Sequence, residues 1–132
     1  MNLLLDTHTF LWHANGDPET SSTATALLID PSNDLFLSMA SVWEIAIKAG
    51  LRKLTLSSAF RTFMTQAITG YGLTVLPISQ DDCADYEQLS FPDPQHRDPF
   101  DRMIVIHALR NGLTVVGVDG AFDHYGVARV WK

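Results

Sequence analysis

Two apolar runs, "NLLLD" near the start and "LTVVGVD" near the end, each close on an aspartate, Asp6 and Asp119. Runs of this kind, apolar at successive rather than alternate positions, predict strands covered on both faces. Strands of that kind belong to parallel sheets packed between helices. "DLFLS" and "LTVLPIS" predict two more, and "VARVW" a closing strand. Between them lie segments of helical character, so the expected class is α/β with a mainly parallel central sheet flanked by helices. In such sheets functional groups gather at the carboxyl ends of the strands.

The helices have readable boundaries. "THTFLWHAN" predicts a short one closed by Asn15-Gly16, and "DPETSSTATALLIDP" a second, opened by Asp17 and Pro18 and ended by Pro31. "MASVWEIAIKAG" predicts a helix with Gly50 as its stop. "LSSAFRTFMTQAITGYG" carries Leu56, Phe60, Phe63 and Ile68 at roughly helical spacing. "SQDDCADYEQLS" and "DPFDRMIVIHALRNG" predict two more helices, and "GAFDHYG" a turn or short helix.

At 132 residues the chain suits one domain, residues 1–132, with a proper core. No stretch is long and apolar enough to span a bilayer, and "MNLLLDTHTF" lacks a basic leader. The one cysteine, Cys83, has no partner within the chain, so the thiol-rich cytoplasm is the expected compartment. The net charge of −6 disfavours nonspecific binding to nucleic acid through Lys and Arg. It does not exclude a phosphate substrate met through divalent cations.

The acids stand out. Asp6 and Asp119 follow apolar runs; parallel neighbouring strands would bring both to one sheet edge, although an aspartate there also starts turns well. In "MASVWEIAIKAG", Ser41, Glu44 and Lys48 form one narrow polar stripe on a helix otherwise fit for burial. An exposed Glu44–Lys48 pair would expect a broader polar face, so the stripe suits a cleft. "HRDPFDR" sets Asp98 and Asp101 at a helix entry. Asp98 before Pro99 suits the N-cap. Asp101 is less well explained, because a capping box prefers the longer arm of Glu or Gln. Asp123 is a weaker candidate. Lys48, Arg97 and Arg102 are the basic side chains available to hold a phosphate backbone.

The five histidines show no zinc spacing, and His107 is expected in the core. There is no Walker loop, no GxGxxG after a strand and no GxSxG elbow. Trp12, Trp43, Phe60, Phe63 and Trp131 are expected in core or interface. Several carboxylates in one pocket raise one another's pKa, a cost that a divalent cation reverses. Oxygen-only ligands suit Mg²⁺ or Mn²⁺, which support phosphodiester hydrolysis.

The ordered set "LLLDTHTFLW", "SVWEIAIK", "HRDPFDRMIVIHAL" and "VVGVDGAFDHYGV" resembles a PIN-domain ribonuclease of the VapC type, the toxin of a type II toxin–antitoxin system. The resemblance spans essentially the whole chain. It implies a Rossmann-like sheet, a pocket binding Mg²⁺ or Mn²⁺, and RNA hydrolysis leaving 5′-phosphate and 3′-hydroxyl ends. By position it makes Asp6, Glu44 and Asp101 the core acids and Asp119 the fourth, with Asp98 assisting through water. One departure is Gly117, where the family often has Thr or Ser. The resemblance also implies a cognate antitoxin covering the pocket and frequently a toxin dimer. Phe10, Leu11 and Trp12 would serve either a partner groove or the core. The rival expectations are a metal-dependent phosphatase or DNA nuclease using the same acids, and a partner-binding domain with an inactive pocket.

Overall fold

The computed structural model describes residues 1–132. Five strands, β1 (Asn2–Leu5), β2 (Asp34–Ser38), β3 (Thr74–Leu76), β4 (Thr114–Val116) and β5 (Arg129–Val130), form one sheet in the order β3-β2-β1-β4-β5. All four pairings are parallel. The helices are α1 (Thr7–Ala14), α2 (Ser22–Ile29), α3 (Met39–Gly50), α4 (Phe60–Gly70), α5 (Gln80–Gln88) and α6 (Pro99–Asn111). A 3-10 helix covers Gly120–Tyr125.

The central strand explains the unbroken apolar run. Leu3 and Leu5 pack on one face with Phe10, Leu28, Leu37, Ile45 and Phe63. Leu4 points to the other, against Ile104, Val105, Val115 and Phe122. Both faces of β1 are dry, so no polar residue alternates there. Chain direction reverses its lateral march at β1: β2 and β3 lie on one side, β4 and β5 on the other. The crevice beyond the carboxyl ends of β1 and β4 is therefore a topological switch point, where such sheets place their sites.

Two expected helix starts move. Helix α2 does not begin at Asp17-Pro18: Asp17 caps a turn at Glu19, and the true N-cap is Ser21, accepting from the Ala24 amide. The start of α4 lies at Phe60, after Leu56, which still packs on the core from the preceding loop. Gly50 ends α3 as expected, and the left-handed residue beyond it is Arg52, at φ 58°. A side-chain cap sets the start of α2, whereas α4 begins after Ala59 with no side-chain cap. Gly112 does terminate α6 as a left-handed cap at φ 62°.

The aromatic residues divide. Phe63 and Trp131 are buried and Trp12 packs on Trp131 at 5.8 Å between ring centroids. Trp43 is exposed, leaning edge-on against Phe100. Of the proposed groove residues, Phe10 is core, and Leu11 and Trp12 pack against it. Helix α3 instead leaves Met39, Trp43 and Ile47 exposed at four-residue intervals, continued by Leu51 just beyond it. No helix is long and apolar enough to cross a membrane.

Candidate active site

Register builds the site. Leu5 pairs with Val116, and the Asp6 amide donates to the Val116 carbonyl at 3.1 Å. Asp6 thus leaves β1 beside Gly117, and Asp119 follows two residues later. Asp6 is also the N-cap of α1, its Oδ1 accepting from the Thr9 amide at 2.8 Å. Asp119 caps the 3-10 helix, its Oδ1 accepting from the Ala121 amide at 2.9 Å. Both are turn-forming aspartates at the ends of adjacent strands, close enough that the Asp119 charge bears on Asp6.

Helix α6 brings the third acid. Asp98 is its N-cap, Oδ1 accepting from the amides of Phe100 and Asp101. Asp101 does not reach back to close a capping box. Its Oδ2 meets His96 Nε2 at 3.3 Å instead. Ligand atoms of His96, Asp101 and Asp119 lie within 4.8 Å of one another. Asp6 stands outside that set yet feels it: burial first, then the Asp119 charge, pushes its carboxyl above the usual range, against hydrogen bonding from Thr9. Asp101 is pushed up to about 6 by burial, then by Asp98 and Asp6, with His96 opposing.

The hydrogen bonds sort the acids. Asp6 and Asp119 each have one oxygen held by a backbone amide, Asp101 has one oxygen against His96 Nε2, and the second oxygen of each meets no protein donor. No Lys or Arg lies within ion-pair distance of any of the three. Glu44 differs: it is buried, and Oε1 accepts from Thr7 at 2.8 Å while Oε2 pairs with Lys48 at 2.7 Å. Ser41 Oγ lies 2.9 Å from the same Thr7 hydroxyl. The stripe is thus a hydrogen-bonded group joined to Asp6 through the next residue, Thr7. Both Asp123 oxygens are taken by Arg129, which holds its carboxyl below the ordinary range.

A tethered oxygen beside a free one is how ligating carboxylates are oriented. Three such free oxygens with no cation among them fit a hard divalent ion, Mg²⁺ or Mn²⁺, better than a thiolate- or imidazole-seeking metal. Asp6, Asp101 and Asp119 are the residues that fit as its holders. Glu44 fits as a flanking group and Asp123 as a support.

Arg102 is a correction. Far from gripping phosphate, it is buried, donates to the carbonyls of Leu89 and Ser90 at 2.8 Å each, and lies 3.7 Å from the Phe91 ring centre. It clamps the loop before α6. Arg97 is exposed, its Nε bonded to the Pro94 carbonyl, and Lys48 keeps its amine partly in solvent. His107 is a core histidine as expected, bonded to Ser38, the Pro77 carbonyl and Asp82.

Four residues escaped the sequence reading. Thr7 bridges the first acid to Glu44. His96, which has no zinc-type spacing, meets Asp101. Tyr125 bonds His96 Nδ1 at 2.8 Å. Arg129 donates to the Gly117 carbonyl at 3.0 Å while holding Asp123. Only His96 had a local signal, its place at the head of "HRDPFDR".

Gly117 also changes meaning. A Cβ there would stand 2.6 Å from Asp6 Oδ2 and 2.9 Å from its Cγ. The missing Thr or Ser is therefore a space requirement of Asp6 as it is placed here.

Comparison with known proteins agrees with this architecture. The PIN-domain profile matches residues 3–128. Among solved structures, VapBC2 from Rickettsia felis, bound to a promoter DNA fragment, is similar over 100% of both chains, at TM-score 0.74 and 18% identity. DNA-bound VapBC from Salmonella typhimurium matches at TM-score 0.70 and 19% identity, covering 98% of this chain and 97% of that one. Mycobacterium tuberculosis VapC20, described as a Sarcin-Ricin loop cleaving toxin, matches at 0.68 and 16%, covering 98% and 99%. No curated protein sequence matches. At these identities the structural likeness is one of fold, while the profile spans nearly the whole chain: this protein belongs to the PIN-domain family.

Proposed function

We propose that the chain is a metal-dependent endoribonuclease of the VapC type, the toxin of a type II toxin–antitoxin pair. The observation that carries this reading is the trio Asp6, Asp101 and Asp119, each with one oxygen tethered and one free. A Mg²⁺ or Mn²⁺ ion bound there supplies Lewis-acid stabilisation of phosphoryl charge and lowers the pKa of water. The protein supplies the rest. Asp6, Asp101 and Asp119 would hold the ion, and Glu44, buried beside Thr7, would orient water or accept its proton. The water oxygen bonds to phosphorus as the bond to the 3′ oxygen breaks. The 3′ oxygen leaves with a proton, giving 5′-phosphate and 3′-hydroxyl ends. Lys48 and Arg97, both with solvent-facing charge, contact the RNA backbone, and Asp98 orients water.

The similarity to VapBC assemblies and to VapC20, described as a Sarcin-Ricin loop cleaving toxin, supports an RNA substrate and a cognate antitoxin. The exposed apolar stripe of α3 supports a protein partner, either the antitoxin or a second copy. Such a toxin would act in the cytoplasm. The deciding experiment is expression of wild type and Glu44→Gln, followed by mapping of RNA ends. New 5′-phosphate ends in the wild type alone are expected. Cleavage of DNA or phosphate monoesters in place of RNA would favour the rival enzymes, and no cleavage at all the partner-binding domain.

A further inference from the structure

A chain of hydrogen bonds ends on Asp101. Arg102 Nη1 lies 3.3 Å from the Tyr125 hydroxyl, which lies 2.8 Å from His96 Nδ1; His96 Nε2 meets Asp101 Oδ2 at 3.3 Å. The direction of this chain follows from what each group can do. A guanidinium only donates, so the Tyr125 oxygen accepts from Arg102. Its own proton is then available to the neighbouring nitrogen, His96 Nδ1. With Nδ1 accepting, the neutral imidazole carries its proton on Nε2 and donates it to the Asp101 carboxylate.

The surroundings hold this arrangement in place. Arg102 is buried and fixed by the Leu89 and Ser90 carbonyls and the Phe91 ring, so its donor does not wander. The His96 ring packs edge-on against Phe122 and Tyr125. Tyr125 ends the 3-10 helix that Asp119 caps. The relay thus joins the helix carrying Asp101 to the segment carrying Asp119.

We propose that His96 is a positioning residue for Asp101: held as the Nε2–H tautomer by Tyr125 and Arg102, it ties down one Asp101 oxygen and leaves the other for the cation. It is not itself a ligand, although its nitrogen lies within 4.8 Å of the acids, because Nε2 has no free lone pair in that tautomer. This rests on the reading of the pocket as a Mg²⁺ or Mn²⁺ site.

The test uses the full chain and two readouts. Nitrogen NMR of the metal-free protein at neutral pH should show His96 with a protonated Nε2 and an accepting Nδ1, a pattern lost in Tyr125→Phe. Manganese affinity should weaken on the order of tenfold in Tyr125→Phe and His96→Ala. His96→Gln, which restores an amide donor toward Asp101, should recover part of it. Melting curves identify any variant that fails to fold, and the wild-type nitrogen pattern stands whatever the variants do. A protonated Nδ1 with a bare Nε2 would overturn the proposal. So would loss of the Nε2 proton on adding Mg²⁺, which would make His96 a ligand. If the wild type bound no Mn²⁺, the cation reading would fall, and the nitrogen pattern alone would judge the relay.

Discussion

The Asp6 carboxylate fills the space beside Gly117 that any other residue would need for its Cβ, 2.6 Å from Oδ2. The backbone at Gly117 lies outside the left-handed region, so the requirement is room rather than conformational freedom. Gly117→Ala should therefore displace Asp6 without unfolding the sheet. The expected result is loss of most Mn²⁺-induced thermal stabilisation, with a metal-free stability loss of about 1–3 kcal/mol. Unchanged manganese binding would show that Asp6 stands elsewhere.

Protons and cations should compete at Asp101. Its folded pKa of about 6 is raised above the ordinary carboxyl value of 3.8. The folded protein therefore takes up this proton more readily than the unfolded chain. The associated stability is fully present below the ordinary value and is lost as pH rises through about 6. Asp6 shifts in the same direction. Without metal, Asp101→Asn should gain in melting temperature relative to wild type as pH rises through that window. Stabilisation of the wild type by Mn²⁺ should grow over the same range. An unchanging difference between the two proteins would contradict the shift.

Two arginines of one motif should part company. Arg102→Met removes a buried cation that serves two carbonyls and an aromatic face, and should cost about 2–4 kcal/mol in denaturant unfolding. Arg97→Ala changes an exposed side chain and should stay within about 0.5 kcal/mol. Under the nuclease reading, Arg97→Ala also weakens RNA binding and makes it less steeply salt-dependent. A stable Arg102→Met protein would refute the clamp.

Arg129 holds Asp123 through two bonds of 2.9 Å and lies near enough to Asp6 and Asp119 for each to favour its charged form. Arg129→Gln should release Asp123 and leave the acid pocket more negative. The metal-free protein should melt lower, and Mn²⁺ should restore more of the loss than it adds to wild type. Equal metal increments in both proteins would place Arg129 outside the pocket's electrostatics.

Much of this molecule was legible locally. The unbroken apolar character of β1 follows from burial on both faces, and "DLFLS" coincides with β2 residue for residue. Asp98-Pro99 announced the entry to α6, and Ser41, Glu44 and Lys48 do form one polar stripe bonded to Thr7, because period and polarity are properties of the chain itself. What local pattern could not convey was partnership across long separations. Arg102 has the same composition-level signature as a phosphate contact, and only the path of the loop around Phe91 makes it a clamp. His96, Tyr125 and Arg129 acquire their parts from the 3-10 helix folding back onto α6 and β5. Whether a carboxylate is already paired, as in Glu44 and Asp123, or keeps an oxygen free, as in Asp6, Asp101 and Asp119, depends on donors brought from elsewhere in the fold. The sequence by itself determined the sheet, the helices and the identity of the acids, since those follow from periodicity and residue chemistry. Only the tertiary structure decided which acids remain available, because hydrogen-bond donors saturate at close range and proximity is set by topology.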